Sequence, residues 1–203
     1  MHSIKAIIFD LGNVLINFDW SIAEKNLDRI KNNLGEESRK YFKHHPELIT
    51  SLEKGKLSDN EFLDKCKEEL EVKCANEYLA KIFSEIFTPN QELIDILPRL
   101  KQKVELYLLS NTNSIHRDYG WGDYKFLSYF KRLFLSYEIG YVKPEKEIFQ
   151  FVESELDFNK NEFIYIDDIV EYIGAAKNIG WNVIHFRNNE KLFADLSSYG
   201  INF

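Results

Sequence analysis

The 203 residues predict a doubly wound α/β fold, with a parallel sheet and a helical insert after its first strand. Three observations carry this: five short continuous apolar blocks, helix-period segments between them, and one long interval with helical signals alone. Continuous rather than alternating apolar runs suit strands buried on both faces, as in a parallel sheet between two helix layers. Strand and helix in alternation give the doubly wound arrangement, whose ligands bind where the carboxyl ends of the strands meet the following loops.

In chain order the strand blocks are residues 4–9, 104–109, 133–135, 162–166 and 182–186. The chain from about 21 to 89 breaks the alternation. Ser21-Ile22-Ala23-Glu24 and Ser58-Asp59-Asn60-Glu61 match the capping box, in which serine and glutamate satisfy the free amides at a helix start. Leu79, Ile82, Phe83 and Ile86 then recur at helical spacing and read as a core-facing stripe. Residues 18–88 are therefore expected to form a helical cap over the active end of the sheet, with 1–17 and 89–203 forming the α/β domain.

A composition that is 44% hydrophobic and 15% aromatic supplies a substantial core, since a domain near this size hides roughly 70% of its unfolded surface. That excludes disordered and fibrous classes. The 26 basic and 33 acidic residues leave a net charge of −7, so neither nucleic acid nor an anionic membrane is an expected partner. No apolar run approaches the ~18 residues of a membrane helix. Met1-His2-Ser3-Ile4-Lys5 enters the first strand block without the segments of a secretory signal. Cys66 and Cys74 lack zinc-type or thioredoxin-type spacing and read as reduced thiols. A cytoplasmic enzyme or binding domain is the expectation.

Chemistry is concentrated at four places, each at a strand end or in the loop after it. Phe9-Asp10-Leu11-Gly12-Asn13-Val14-Leu15 sets a carboxylate at the end of strand one, where it can cap a loop, bind metal or act as a nucleophile. Leu109-Ser110-Asn111-Thr112-Asn113 ends a buried strand in small polar groups, which suit either a turn or phosphate oxygens. In Val142-Lys143-Pro144-Glu145, Pro144 suits the first position of a helix and leaves Lys143 at its entrance. Phe163-Ile164-Tyr165-Ile166-Asp167-Asp168 ends in adjacent carboxylates, whose repulsion a divalent cation would relieve, although one of them also suits a helix cap near Ile169.

The order and content of these four segments resemble the haloacid dehalogenase-like (HAD) superfamily over essentially the whole chain, with residues 9–15, 109–113, 142–145 and 166–168 similar to its motifs one to four. The insert resembles the superfamily's first-position cap, including Leu-Glu-Lys-Gly-Lys-Leu-Ser at 52–58. Asp-Leu-Gly-Asn resembles bacterial sugar-phosphate phosphatases such as the α-glucose-1-phosphate phosphatases. The resemblance implies a Rossmann-like core and a magnesium-dependent phosphatase of small phosphorylated metabolites. Asp10 would attack phosphorus to form an aspartyl-phosphate. Asp10, the Gly12 carbonyl and Asp168 would hold Mg2+, with Asp167 in support. Ser110 and the Asn111 amide would hold the phosphoryl oxygens, and Lys143 would offset their charge.

Two departures from the motifs matter. Gly12 stands where most of these phosphatases carry the aspartate that protonates the leaving oxygen, which leaves that proton to water, to the substrate or to a cap residue such as His44, His45 or Glu53. Tyr172 stands where an Asp or Asn often supports the metal and lysine, with Glu171 one residue off register. Asn113, His116 and Trp121 are further candidates for the pocket wall, and Asp19 reads as a loop cap. Two other readings compete. A metal-independent haloacid dehalogenase is opposed by the Asp167-Asp168 pair. A weak or inactive HAD-fold binding or regulatory protein is favoured by Gly12 and Tyr172 but opposed by Asp10, Ser110, Lys143 and Asp168. His2 and His185 are assigned no role.

Overall fold

The computed structural model describes residues 3–202; His2 lies outside them. Strand β1 (Ala6–Phe9) leads through a tight loop to β2 (Ile16–Phe18). Five helices follow: α1 (Trp20–Asp28), α2 (Leu34–His44), α3 (Pro46–Glu53), α4 (Asp59–Glu69) and α5 (Asn76–Ser84). The chain returns through β3 (Phe87–Pro89), α6 (Gln91–Ile94) and α7 (Leu97–Lys101) to β4 (Glu105–Ser110). Then come α8 (Ser114–His116), β5 (Arg132–Leu135), α9 (Ser136–Ile139) and α10 (Lys146–Ser154). The last elements are β6 (Phe163–Asp167), α11 (Val170–Asn178), β7 (Asn182–His185) and α12 (Asn189–Ser198).

The five-stranded sheet has the order β5-β4-β1-β6-β7 and is parallel throughout. Its strands carry apolar residues on both faces because both are covered. Ile7, Phe9, Leu106, Leu108, Ile164 and Ile166 point to one layer, with Leu93, Leu97, Leu192 and Leu196 of α6, α7 and α12. Their alternates Ala6, Ile8, Tyr107, Leu109, Phe163 and Tyr165 point to the other, against Phe149 and Val152 of α10 and Ile173 and Ala176 of α11. The chain builds outward from β1 to β4 and β5, then crosses to β6 and β7. That reversal puts a crevice at the carboxyl ends of β1, β4 and β6.

Helices α1 to α5 enclose a separate core of Leu27, Leu34, Phe62, Leu63 and Phe83, which Ile115 of α8 enters from the α/β side. Phe42 stacks on Phe62 and meets Phe83 edge-on. The segment after α3 is set down closely on the α/β domain. Lys54 pairs with Glu145 and Ser114 donates to Asp59. Gly55 has φ +63°, and a Cβ there would lie 2.3 Å from the Tyr137 carbonyl oxygen. Only glycine meets both demands without strain.

The structure corrects several sequence expectations. The interval 21–89 is not wholly helical, because β3 pairs antiparallel with β2 in a two-stranded ribbon that ties the exit and re-entry of the helical segment together. Asp19, not Ser21, is the N-cap of α1, its carboxylate accepting from the Ser21 amide at 2.9 Å. At Ser58 the capping box is formed. Pro144 does not open a helix: α10 begins at Lys146 with Glu145 as its N-cap, and the Lys143-Pro144 bond is cis. β4 and β6 each run one residue further than expected, so Ser110 and Asp167 are the last residues of their strands. Among the described residues no helix is long and apolar enough to cross a membrane.

Candidate active site

Asp10 follows β1, Ser110 ends β4, and Asp167 and Asp168 sit at the end of β6, so three neighbouring strands deliver their terminal polar groups to one crevice. A cavity of about 310 Å³ opens there, lined by Asp10, Gly12, Asn13, Ser110, Asn111, Lys143, Asp168 and Tyr172 from the α/β domain. Glu53 and Trp20 close it from the helical segment. The loop after β4 is fixed from behind by buried Ser136, whose hydroxyl accepts from the Thr112 amide at 2.9 Å and donates to the Thr112 carbonyl at 3.0 Å.

Lys143 is the hub of the site. Its side chain is 1% exposed, and Nζ lies 2.7 Å from both Asp10 Oδ1 and Asp167 Oδ2. Asn111 holds the lysine backbone in place: its Oδ1 accepts from the Lys143 amide at 2.8 Å and its Nδ2 donates to the Lys143 carbonyl at 3.0 Å. The Asn111 side chain is thus occupied, while its backbone amide has no hydrogen-bond partner among the described residues. Tyr172 does not leave Lys143 unsupported. Its ring centroid lies 5.1 Å from Nζ, a cation–π contact that stands in for a carboxylate or amide partner.

Asp167 is fully buried and absent from the cavity wall. Its Oδ2 accepts from Lys143 and from the Tyr165 hydroxyl, and its Oδ1 from the Ile169 amide at 2.8 Å. It therefore anchors Lys143 and the start of α11, while Asp10 and Asp168 face the cavity. One oxygen from each of the three carboxylates lies within 4.8 Å of the others. Three carboxyl groups face one ammonium, so ionising all of them would leave negative charge uncompensated, and the donors are hard oxygens. Asp10 and Asp168, with Gly12 lining the same cavity, fit a small divalent cation.

Burial pushes the Asp10 carboxyl up to about 7 against the pull of Lys143. Burial works against the Lys143 charge too, but Asp10 and Asp167 hold that ammonium above the ordinary lysine range. Asp168 is raised by burial and by the charge of Asp167, with Asn13 Nδ2 opposing from 3.2 Å. Lys143 is therefore the permanent positive charge of the cluster. A cation between Asp10 and Asp168 would favour the ionised form of both.

Gly12 is not in the left-handed region; that conformation belongs to Asn13, with φ 52°, a residue type that tolerates it. A Cβ on Gly12 would lie 3.3 Å from Phe18 Cε1, so a side chain enters only if that ring gives way. Of the suggested proton donors, His44 and His45 are exposed and bonded to the Lys40 carbonyl and the Glu47 carboxylate. Glu53 is different. It shares the cavity with Asp10, and burial raises its carboxyl to about 7 despite the Lys143 charge. His116 also lines the cavity; its Nδ1 faces Asn113 Nδ2 at 3.3 Å while Asn113 Oδ1 accepts from the His116 amide at 2.9 Å. That pattern makes Nδ1 the acceptor and leaves the proton on Nε2, and burial lowers the ring to about 4, so the imidazole is neutral. Trp121 lines the same wall, and His185 Nε2 donates to the Asp168 carbonyl, 3.0 Å away.

Sequence reasoning did not pick out Tyr165 or Trp20. Tyr165 was legible in principle, since it lies two residues before Asp167 on the same face of β6. Trp20 carried no signal beyond its place at the start of a helix.

Comparison with known proteins supplies a context for this geometry. The profile of the haloacid dehalogenase-like hydrolase family matches residues 4–180. A D-ribitol-5-phosphate phosphatase of Bacteroides thetaiotaomicron is 29% identical over 197 residues, covering 91% of this chain and 93% of that one. The sesquiterpene phosphatase astK of Aspergillus oryzae is 25% identical over 201 residues, covering 91% of each. A HAD family enzyme from Bacteroides thetaiotaomicron, solved with magnesium and inorganic phosphate, superposes with a TM-score of 0.82 at 28% identity, covering 94% of this chain and all of that one.

Proposed function

Because the chain belongs to the haloacid dehalogenase-like hydrolase family, we propose that it is a magnesium-dependent phosphatase of small phosphorylated metabolites, with Asp10 as its nucleophile. The observation that carries this reading is the buried Lys143 ammonium, 2.7 Å from Asp10 Oδ1, in a cavity shared with Ser110 and Asp168. Such an ammonium holds the attacking carboxylate in one orientation and offsets the charge of an incoming phosphoryl group. Residues 1–17 and 89–203 act as the catalytic domain in this reading, and 18–88 as the cap.

Substrate binds with its phosphoryl oxygens on the Ser110 hydroxyl, the Asn111 amide and Lys143. An Asp10 oxygen forms a bond to phosphorus as the ester P–O bond breaks. Glu53, protonated, gives its proton to the departing oxygen, the task that Gly12 cannot perform. Glu53 as carboxylate then takes a proton from the water that attacks the aspartyl-phosphate, which releases phosphate and restores Asp10. Asp10, the Gly12 carbonyl and Asp168 would hold the magnesium ion, which when bound supplies further charge for the phosphoryl oxygens. A cytoplasmic site of action accompanies this reading, supported by the free thiols of Cys66 and Cys74.

Purified protein is expected to release phosphate from phosphomonoesters with magnesium and not with chelator. In Asp168→Ala, calorimetry should show magnesium affinity falling by more than the roughly 10- to 100-fold typical of an outer partner. Equal affinity in variant and wild type would remove Asp168 from the ligand set, and metal-independent turnover would remove the reading.

Glu53 makes a prediction about pH. The acid form does the work, and its carboxyl is raised to about 7, so kcat/KM for an alkyl phosphate should fall as pH rises through that value. Asp10 acts in the opposite sense, because attack needs its carboxylate, and it sets the acid limb. Glu53→Gln should lose the alkaline limb and about 100- to 10,000-fold in rate on alkyl esters. Aryl esters, which leave with less help from an acid, should lose less. An unchanged pH profile in the variant would show that the proton comes from elsewhere.

A further inference from the structure

A second cavity, of about 270 Å³, lies under the helices and meets the first at Trp20, Glu53 and His116, which line both. From the wall contributed by the phosphoryl-binding residues, the path therefore runs past a carboxyl and an imidazole into the interior of the helical segment. Its walls are Leu27, Phe42, Ile49, Phe62, Phe83 and Ile115 together with their apolar neighbours. From this geometry we infer that the chamber receives the leaving group of the substrate and that this group is a hydrocarbon chain or ring, so that the substrate is an alkyl, prenyl or aryl monophosphate and not a sugar or polyol phosphate.

The polar groups of the chamber are few and mostly occupied. Asn113 spends its oxygen on the His116 amide and its nitrogen on the His116 ring. Glu24 and Arg39 face each other, 3.8 Å apart, and the arginine side chain is 62% exposed. Ser38 is the one hydroxyl among the described residues that line the chamber. A five-carbon polyol brings four hydroxyls besides the ester oxygen, and each would give up water without finding a partner. Saturated carbon has the opposite balance, since it gains from leaving water and asks for no partner. The two groups at the neck suit the junction between phosphate and hydrocarbon. His116 and Glu53 line both cavities, and neither His116 Nε2 nor the Glu53 carboxyl has a hydrogen-bond or ion-pair partner among the described residues, so both are available to the ester oxygen at the point where polarity changes. Burial shifts each of them toward its neutral form, raising Glu53 and lowering His116, and a neutral neck does not oppose entry of an uncharged body.

The proposal rests on the phosphatase reading, and a matched pair of substrates tests it. Pentyl phosphate and D-ribitol 5-phosphate share a five-carbon chain and differ in four hydroxyls. With wild-type enzyme and magnesium, kcat/KM should favour pentyl phosphate by about 100-fold or more. Across ethyl, butyl, hexyl and octyl phosphates it should climb roughly fourfold per methylene until the chamber is full. Ala23, which also lines the chamber, offers a variant: Ala23→Leu should compress the octyl-to-ethyl ratio by about tenfold or more. The wild-type series stands alone if that variant does not fold. Ribitol 5-phosphate turned over as well as pentyl phosphate, or a flat alkyl series, would overturn the proposal and leave the phosphatase reading intact. Failure to hydrolyse any ester, p-nitrophenyl phosphate included, would overturn both.

Discussion

Lys143→Met is expected to lower kcat/KM by about 1000-fold or more and to destabilise the protein as well. The catalytic loss follows from removing the fixed cation beside the nucleophile; deleting a single preorganised donor to developing charge already costs about 100- to 1000-fold, and Lys143 orients Asp10 besides. The stability loss follows from what stays behind. Asp10 and Asp167 are both buried, and breaking a buried ion pair by removing one partner typically costs about 3–5 kcal/mol. The sign of its pH dependence is fixed. Asp10 is already raised to about 7, and losing the ammonium that pulls it down raises it further. A carboxyl with a raised folded-state pKa binds its proton more tightly in the native protein, so the deficit is small below the unfolded value near pH 4 and grows as pH rises. Denaturant unfolding at pH 5 and pH 8 should therefore separate variant from wild type more at pH 8. A constant or reversed difference would mean that Lys143 does not carry the charge balance described above.

Much of this arrangement was legible in the sequence, for identifiable reasons. The parallel strands announce themselves because burial on both faces makes residues such as Ala6, Ile7, Ile8 and Phe9 uniformly apolar. The polar residues that interrupt those runs, Asp10, Ser110 and Asp167, mark where the strands end. What was not legible depends on long-range contacts. β2 and β3 have three residues each, too few for a periodic signal, and pair only because the chain returns after five helices. Asp167 and Asp168 are chemically identical in sequence. Burial and the Tyr165, Lys143 and Ile169 partners make the first an anchor, whereas the second faces the cavity. Tyr172 departs from the familiar motif as a residue type, yet its ring supports Lys143 through a different interaction. Glu53 was one candidate among several; the sharp turn at Gly55 and the Lys54–Glu145 pair hold the end of α3 against the α/β domain, and only that docking sets it apart from His44 and His45.

Asp10→Asn should reduce turnover by about 10,000-fold or more, comparable to the loss of a nucleophile in other covalent hydrolases. The amide keeps the shape of the carboxylate but not its attacking charge, and its nitrogen would turn a donor toward the Lys143 ammonium if it occupied the Oδ1 position. The protein should still fold, because one buried negative charge remains on Asp167 to pair with Lys143. Survival of activity within a few-fold would exclude the carboxylate of Asp10 from the chemistry, whatever the fold.

The covalent intermediate gives the most direct test. Wild-type enzyme turning over a phosphomonoester with magnesium is quenched in acid within its first cycles, digested and mapped by mass spectrometry. The account predicts a phosphoryl group on the peptide that contains Asp10, present in wild type and in Glu53→Gln and absent in Asp10→Asn. A phosphoryl group on any other residue, or steady hydrolysis by Asp10→Asn at the wild-type rate, would contradict it.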